Sequence, residues 1–375
     1  MDFTFDETQQ EVQNLARKIL SEVSTPERLN TIDQQTQRFD TDLWQQLAEA
    51  GLLGVALSEA NGGMGFGFTE LCLFVEEVGR TVAAVPVIPV LVSAALPIQQ
   101  FGNAEQQQLL VDVASGKALI TAGLSEYLAE DPAQPATTAQ LQDKHYQVNG
   151  TKIAVPFADQ AERILISANS EQGVVILLLN PKATGVTLHS QVSTTGEPWF
   201  EVQMDNVLID AADVLVGVDQ GAAAAQWIYE RTTAAYCAMQ LGVSEASLQM
   251  TATFTCEREQ FGVPIGSFQA VQHRAADCFI DVQCLKLTTY QAVSRLDLAL
   301  PASNELLIAK IWAGDTGHRV SYASQHLHGG TGIDKDYYLW RYNLWARQIE
   351  MIMGCSSALL ARLGVRIAQG EAFAE

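Results

Sequence analysis

One carboxylate, Glu350, sits in the apolar run Ile349-Glu350-Met351-Ile352-Met353-Gly354. A carboxylate taken out of water has its pKa pushed upward, and such a group can take a proton from carbon beside a carbonyl. Groups of a different kind occupy two other stretches. EREQFGVPIGSFQAVQ (257–272) carries Arg258, Phe261 and Gln269, and HLHGGTG (326–332) carries His326, His328, Gly329 and Gly330. An arginine suits a phosphate, and adjacent glycines let backbone come close to a phosphate or ribose. Each has an ordinary alternative. Arg258 could be a solvated helix residue, the double glycine a helix cap, the histidines core or interface residues, and Glu350 a partner-bound carboxylate.

Composition narrows the function classes. The chain has 375 residues, 48% of them hydrophobic, which points to two or three domains with a sizeable core. Only 17% are charged, which suits a chain that hides surface against partners. A formal charge of −21 argues against nucleic acid or an anionic membrane as partner, though not against a small anion held by local cations. Cys72, Cys237, Cys256, Cys278, Cys284 and Cys355 form no CxxC pair and no zinc spacing, so no metal site is expected. They read as reduced core residues of a cytoplasmic protein. The start MDFTFDETQQ is too acidic for a signal peptide, and the apolar stretch 81–98 is interrupted by three prolines. With no run of 18 apolar residues, no membrane span is expected.

Three segments differ in period. Residues 1–118 read as helical: Val12, Leu15, Ala16, Ile19 and Leu20 fall on one helix face. Residues 119–217 alternate with period two and read as an antiparallel β domain, with Asn149-Gly150 as a hairpin turn and RILISAN/GVVILLLN as a strand pair. Residues 218–375 read as four long helices, near 220–256, 268–297, 301–328 and 335–368, with short connections, as in an antiparallel bundle. The expected class is therefore α+β, mostly α: helical domain, β domain, four-helix bundle.

This order, with EREQFGVPIGSFQAVQ, HLHGGTG, NGTK (149–152) and GLLGVALSEANGGMG (51–65), resembles the acyl-CoA dehydrogenase family over essentially the whole chain. The resemblance implies an FAD enzyme. A glutamate removes the Cα proton of an acyl-CoA, the flavin takes the Cβ hydride, and electrons leave through an electron-transfer flavoprotein. Counted from Gly330, the family's usual base position is Met353, and the second known position, after Glu230-Arg231, is Thr232. Neither side chain can take the proton. Thr233 also replaces an arginine common at that place. At the flavin-ring positions stand Ala154 and Pro156, and the loop LSEYLAEDP keeps Ser125 and Glu126 but not the glycine-serine part. Arg258, Phe261, Gln269, His326, Gly329 and Gly330 stand where the family holds the adenosine-diphosphate half of a neighbour's FAD.

The chain thus resembles the base-lacking subunit of a bacterial α2β2 acyl-CoA dehydrogenase acting on a steroid side-chain or ring-fragment CoA ester. It would share FAD with a second dehydrogenase-like subunit and be inactive alone. Glu350 lies three residues before Met353, one helical turn out of register for a base. Two alternatives stay open: a flavin monooxygenase on the same fold, and a scaffold or CoA-ester-binding module without flavin.

Overall fold

The computed structural model describes residues 4–35, 37–127, 129 and 131–370. Along the chain come α1 (Glu7–Val23), α2 (Pro26–Asp33), α3 (Thr41–Glu49) and α4 (Phe68–Thr81), then a π-helix (Ile88–Ala95) and short helices α5 (Leu96–Phe101), α6 (Ala104–Gln107) and α7 (Leu109–Ala114). Eight strands follow: β1 (Ile120–Gly123), β2 (Thr138–Gln142), β3 (His145–Pro156), β4 (Arg163–Ser170), β5 (Gly173–Leu179), β6 (Val186–Val192), β7 (Pro198–Asp210) and β8 (Val214–Val216). Helix α8 (Gly221–Glu257), a small hairpin β9 (Glu259–Gln260) and β10 (Val263–Pro264), α9 (Gln269–Asp297), α10 (Ser303–His328), α11 (Leu339–Met351) and α12 (Ser356–Ala368) complete it. Packing divides these elements into two compact units, residues 1–30, 68–83 and 233–375, and residues 31–67 and 84–232.

The second unit holds the sheet, in the order β6-β7-β3-β2-β4-β5-β8 with β1 beside β4. Its inward side chains, among them Val148, Ile164, Ile166, Val175, Leu177 and Val202, form one buried cluster. The sheet is mixed rather than antiparallel, because β1 pairs with β4 in parallel and β2 meets β4 in parallel at Thr138 and Asn169. Alternation reveals a strand and its hairpin neighbour, but not a partner distant in sequence. Asn149-Gly150 is not a turn either, since β3 runs straight through it. The hairpin closes at Asp143-Lys144, between the paired Gln142 and His145. Gly150 instead marks an irregularity in the pairing with β7, and a Cβ there would lie 2.6 Å from Thr137 Oγ1. The glycine permits a close strand approach.

The first unit holds α1, α4 and the bundle. Asp6 starts α1 with a capping box, accepting from Gln9 N at 2.9 Å. Helices α4 and α8 cross backbone to backbone: a Cβ on Gly79 would lie 2.2 Å from Met239 O, and one on Gly242 would lie 1.9 Å from Glu76 O. The fourth bundle helix, expected as one piece over 335–368, is two. Ile352 and Cys355 are extended, and Met353 (φ 59°) and Gly354 (φ 99°) turn with the opposite hand. The stretch Leu339–Ala368 has the length and hydropathy of a membrane span. Each of its 13-residue helices is only about 20 Å long.

Candidate functional site

Helix α8 ends at Glu257, and the chain reverses in the β9–β10 hairpin. Its two central residues, Phe261 (φ 58°) and Gly262 (φ 81°), both have positive φ, as a type I′ turn requires. Ile265 N donates to Arg258 O at 2.8 Å, which folds the hairpin back onto the end of α8. The ring of Phe261 packs edge-on to Phe268, the residue before α9, and Gln269 opens that helix. One turn before Arg258, Phe254 stacks on His328 with ring centroids 4.2 Å apart. The C-terminal ends of α8 and α10 and the N-terminal end of α9 therefore share one end of the bundle.

That end gathers Arg258, Phe261, Gln269, His326, Gly329 and Gly330, and all six are exposed. Phe261 is 94% exposed, an unusual position for a phenylalanine without a partner surface. Among the described residues the Arg258 side chain has no hydrogen bond or ion pair. Gly329 adopts φ 60°, ψ −133°, a region open essentially to glycine alone. A Cβ on Gly329 or Gly330 would meet no atom within 4 Å among the described residues, so the space beside both glycines is open, although the Gly329 N–H donates to His326 O. His326 lies parallel to Tyr322, with centroids 6.4 Å apart. A cation, an aromatic face, an amide and an open pair of glycines are thus presented outward together. His328 differs. It is buried, its Nδ1 is 2.7 Å from Ser324 O, its Nε2 is 3.1 Å from Tyr337 Oη, and burial lowers its pKa, so it is a core histidine.

Neither of the two positions at which the resemblance places a base carries an acid. Met353 is half-buried in the reversed turn between α11 and α12. Thr232 is buried and shares a hydrogen bond with Ser93 of the π-helix, oxygen to oxygen at 3.0 Å. Glu350 accepts from Arg347 Nη1 at 2.8 Å, and His318 Nδ1 lies 3.4 Å away. Its carboxylate therefore has cationic company on the same helix. Because α11 stops at Met351, Glu350 and Met353 do not share a helix face, and the one-turn register expected from the sequence does not apply.

At the positions that the resemblance places against a flavin ring, the donors are spent or missing. Ala154 has φ 51°, and its N–H donates to Gln191 Oε1 at 2.8 Å. Pro156 has no N–H to give. Ser125 bridges to β3 through its carbonyl, accepting from Ile153 N at 2.9 Å. Glu126 is held by Lys152 Nζ at 2.5 Å and by the N–H groups of Ala136 and Thr137 at 2.5 and 3.2 Å. Burial pushes the Glu126 pKa up, but the Lys152 charge and these hydrogen bonds outweigh it and hold it below the ordinary range. Leu128 and Glu130 of the same loop lie outside the described residues. Reading the sequence missed the Lys152–Glu126 pair and Gln191. The one signal was a lysine inside the otherwise inward-facing row of β3.

Family models describe residues 6–117 as the acyl-CoA dehydrogenase N-terminal domain and residues 219–368 as its C-terminal domain. Acyl-CoA dehydrogenase FadE27 of Mycobacterium tuberculosis is 36% identical over 98% of this chain and 99% of its own length. FadE28 of the same organism is 29% identical, over 91% of this chain and 97% of its own. Among solved structures, the ChsE4–ChsE5 complex of Mycobacterium tuberculosis superposes with a TM-score of 0.93 at 36% identity, covering all of both chains. A variant of the Tcur3481–Tcur3483 steroid ACAD gives 0.92 at 40% identity, covering 98% of this chain and 99% of that one.

Proposed function

The chain belongs to the acyl-CoA dehydrogenase family, and on that premise we propose that it is the base-lacking subunit of a heteromeric, FAD-dependent enzyme that desaturates a bulky acyl-CoA of steroid type. One observation carries the reading. The groups at the bundle end are exposed and uncommitted, while the base and ring positions are apolar, internally bonded or without a donor. The similar solved structures support it, since one is the ChsE4–ChsE5 complex and another is the Tcur3481–Tcur3483 steroid ACAD.

The residues fit one half of the cofactor and not the other. Arg258 and Gln269 would hold phosphate or adenine, the Gly329–Gly330 backbone would lie against pyrophosphate or ribose, and Phe261 and His326 would cover them. Bound FAD supplies the hydride acceptor. On the ring side Ala154 N–H is taken by Gln191 Oε1 and Pro156 offers nothing. A second dehydrogenase-like subunit would supply the ring contacts and the glutamate, in a cytoplasmic α2β2 assembly that passes electrons to an electron-transfer flavoprotein.

The test is co-expression with a second dehydrogenase-like chain from the same genome, scored for subunit ratio and bound flavin. One flavin per pair of different chains is expected, and this chain alone should be colourless or insoluble. A stable homotetramer holding one flavin per chain would overturn the proposal.

A further inference from the structure

Lys310 lies in the middle of α10 and is 1% exposed. Its Nζ donates to Ile349 O at 3.0 Å, Glu350 O at 3.2 Å and Gly354 O at 3.1 Å. Three neutral carbonyls use all three ammonium hydrogens. Ile349 and Glu350 stand in the last turn of α11, where a cation is favoured by the helix dipole. Gly354 lies beyond the reversal. One ammonium therefore ties the end of α11 to the far side of the turn that contains Met353.

Two neighbours on α10 pin the same segment. Ser356, the first residue of α12, donates its Oγ to Ile311 O at 3.2 Å. A Cβ on Gly314 would lie 2.4 Å from Ser356 Oγ, so the glycine makes room for that approach. Between these pins Met353 holds φ 59°. A residue with a side chain stays in that left-handed region only when its surroundings keep it there.

We infer that Lys310 is a positioning residue: its carbonyl cage sets the turn that aims the side chain at 353. The cage acts on backbone oxygens alone, so it is indifferent to what residue 353 is. It would aim a carboxylate or a thioether alike, and a chain can lose the acid while keeping the mount. The weight given to position 353 rests on the function proposed above, but the cage does not depend on flavin or partner.

The experiment places a cysteine at the turn, Met353→Cys, in the co-expressed complex and follows its alkylation by peptide mass spectrometry. Cys256, exposed in the isolated chain, serves as internal reference, its rate being read first in the parent complex. Lys310→Met keeps the bulk but leaves three carbonyls unpaired, and it should speed labelling at 353 by roughly tenfold with Cys256 unchanged. Lys310→Gln keeps two donors and should fall between. Amide exchange across 352–356, without the cysteine, should rise in the same order. If labelling and exchange stay at the parent rates while the melting temperature moves, Lys310 only fills the core and the inference fails. Flavin is measured on the same samples. Its absence from the parent complex would sink the subunit reading and leave the cage test standing.

Discussion

Glu76 should make the protein less stable as pH rises from mildly acidic to neutral. It lies buried on α4 beside Glu77, with Glu245 of α8 close by. Arg80 serves all three, at 2.9 Å to Glu76, 3.1 Å to Glu77 and in contact with Glu245, while Arg17 adds a bond of 2.7 Å to Glu77. Tyr290 donates its hydroxyl to Glu76. Burial first, and then the charge of Glu245, raise the Glu76 pKa from 4.5 to about 7, against the lowering effects of Tyr290 and Arg80. A carboxyl whose folded pKa lies above its unfolded value binds its proton more tightly in the folded state. The folded state holds the extra proton between pH 4.5 and 7, so stability falls as pH rises through that window. At about 1.4 kcal/mol per unit the loss is about 3 kcal/mol, or some 6–12 °C in a domain of this size. Glu76→Gln keeps the shape and an acceptor for Tyr290 but cannot ionise. Other groups titrate in the same range, so the quantity to read is the variant-minus-parent difference in melting temperature, from pH 4 to pH 8. That difference should climb through the window and level off above pH 7. A flat difference would mean that Glu76 keeps an ordinary pKa and that Arg80 compensates its burial fully.

Arg258→Ala should weaken flavin retention in the complex by roughly ten- to a hundredfold, from losing one charge-assisted bond worth about 1.5–3 kcal/mol. Unchanged occupancy after dilution would make Arg258 a surface residue only. Glu350→Gln should leave turnover of a bulky acyl-CoA within about tenfold, because Arg347 already holds the carboxylate at 2.8 Å, whereas loss of a general base costs about 10²–10⁴-fold. Met353→Glu should restore no activity to this chain expressed without its partner, since Ala154 and Pro156 still offer no ring-side donor. Dehydrogenation by that single chain would refute the account of the ring side. Lys152→Met should lower the melting temperature sharply, because removing one member of a buried pair costs about 3–5 kcal/mol. Adding Glu126→Leu should recover much of the loss.

Local pattern was legible in the sequence where the responsible contacts are themselves local. The 3.6-residue spacing of Val12, Ala16 and Leu20 placed α1, and these three are its buried face. The alternating strands and the four bundle segments followed by the same logic. Asn149-Gly150 misled because a glycine required by Thr137, a neighbour across the sheet, looks identical to a glycine required by a turn. The parallel pairing of β1 with β4 joins Ile120 to Arg163 and leaves no mark on either strand. The break after Met351 was legible only as a glycine, since the lysine that stabilises it stands about forty residues earlier in the chain. The six exposed groups at the bundle end were legible one by one. That they share an end depends on Phe254 meeting His328, a contact that no spacing encodes.

A buried polar group must be satisfied by something, and the identity of its partner separates what a chain does for itself from what it offers. At the positions proposed to face the flavin ring and the base, the partners all belong to this chain: Gln191 for Ala154 N–H, Ser93 for Thr232, Lys152 for Glu126 and Lys310 for the carbonyls around Met353. Each would have to be released before a ligand could use the same atoms, at a cost of one hydrogen bond or ion pair apiece. At the bundle end the Arg258 side chain has no hydrogen bond or ion pair among the described residues and Phe261 is 94% exposed, so a ligand or partner could meet both side chains without displacing a polar partner of theirs. Folding therefore exerts little pull on Arg258 or Gln269. Their place beside an exposed phenylalanine and an open pair of glycines is what the proposed cofactor contact would use.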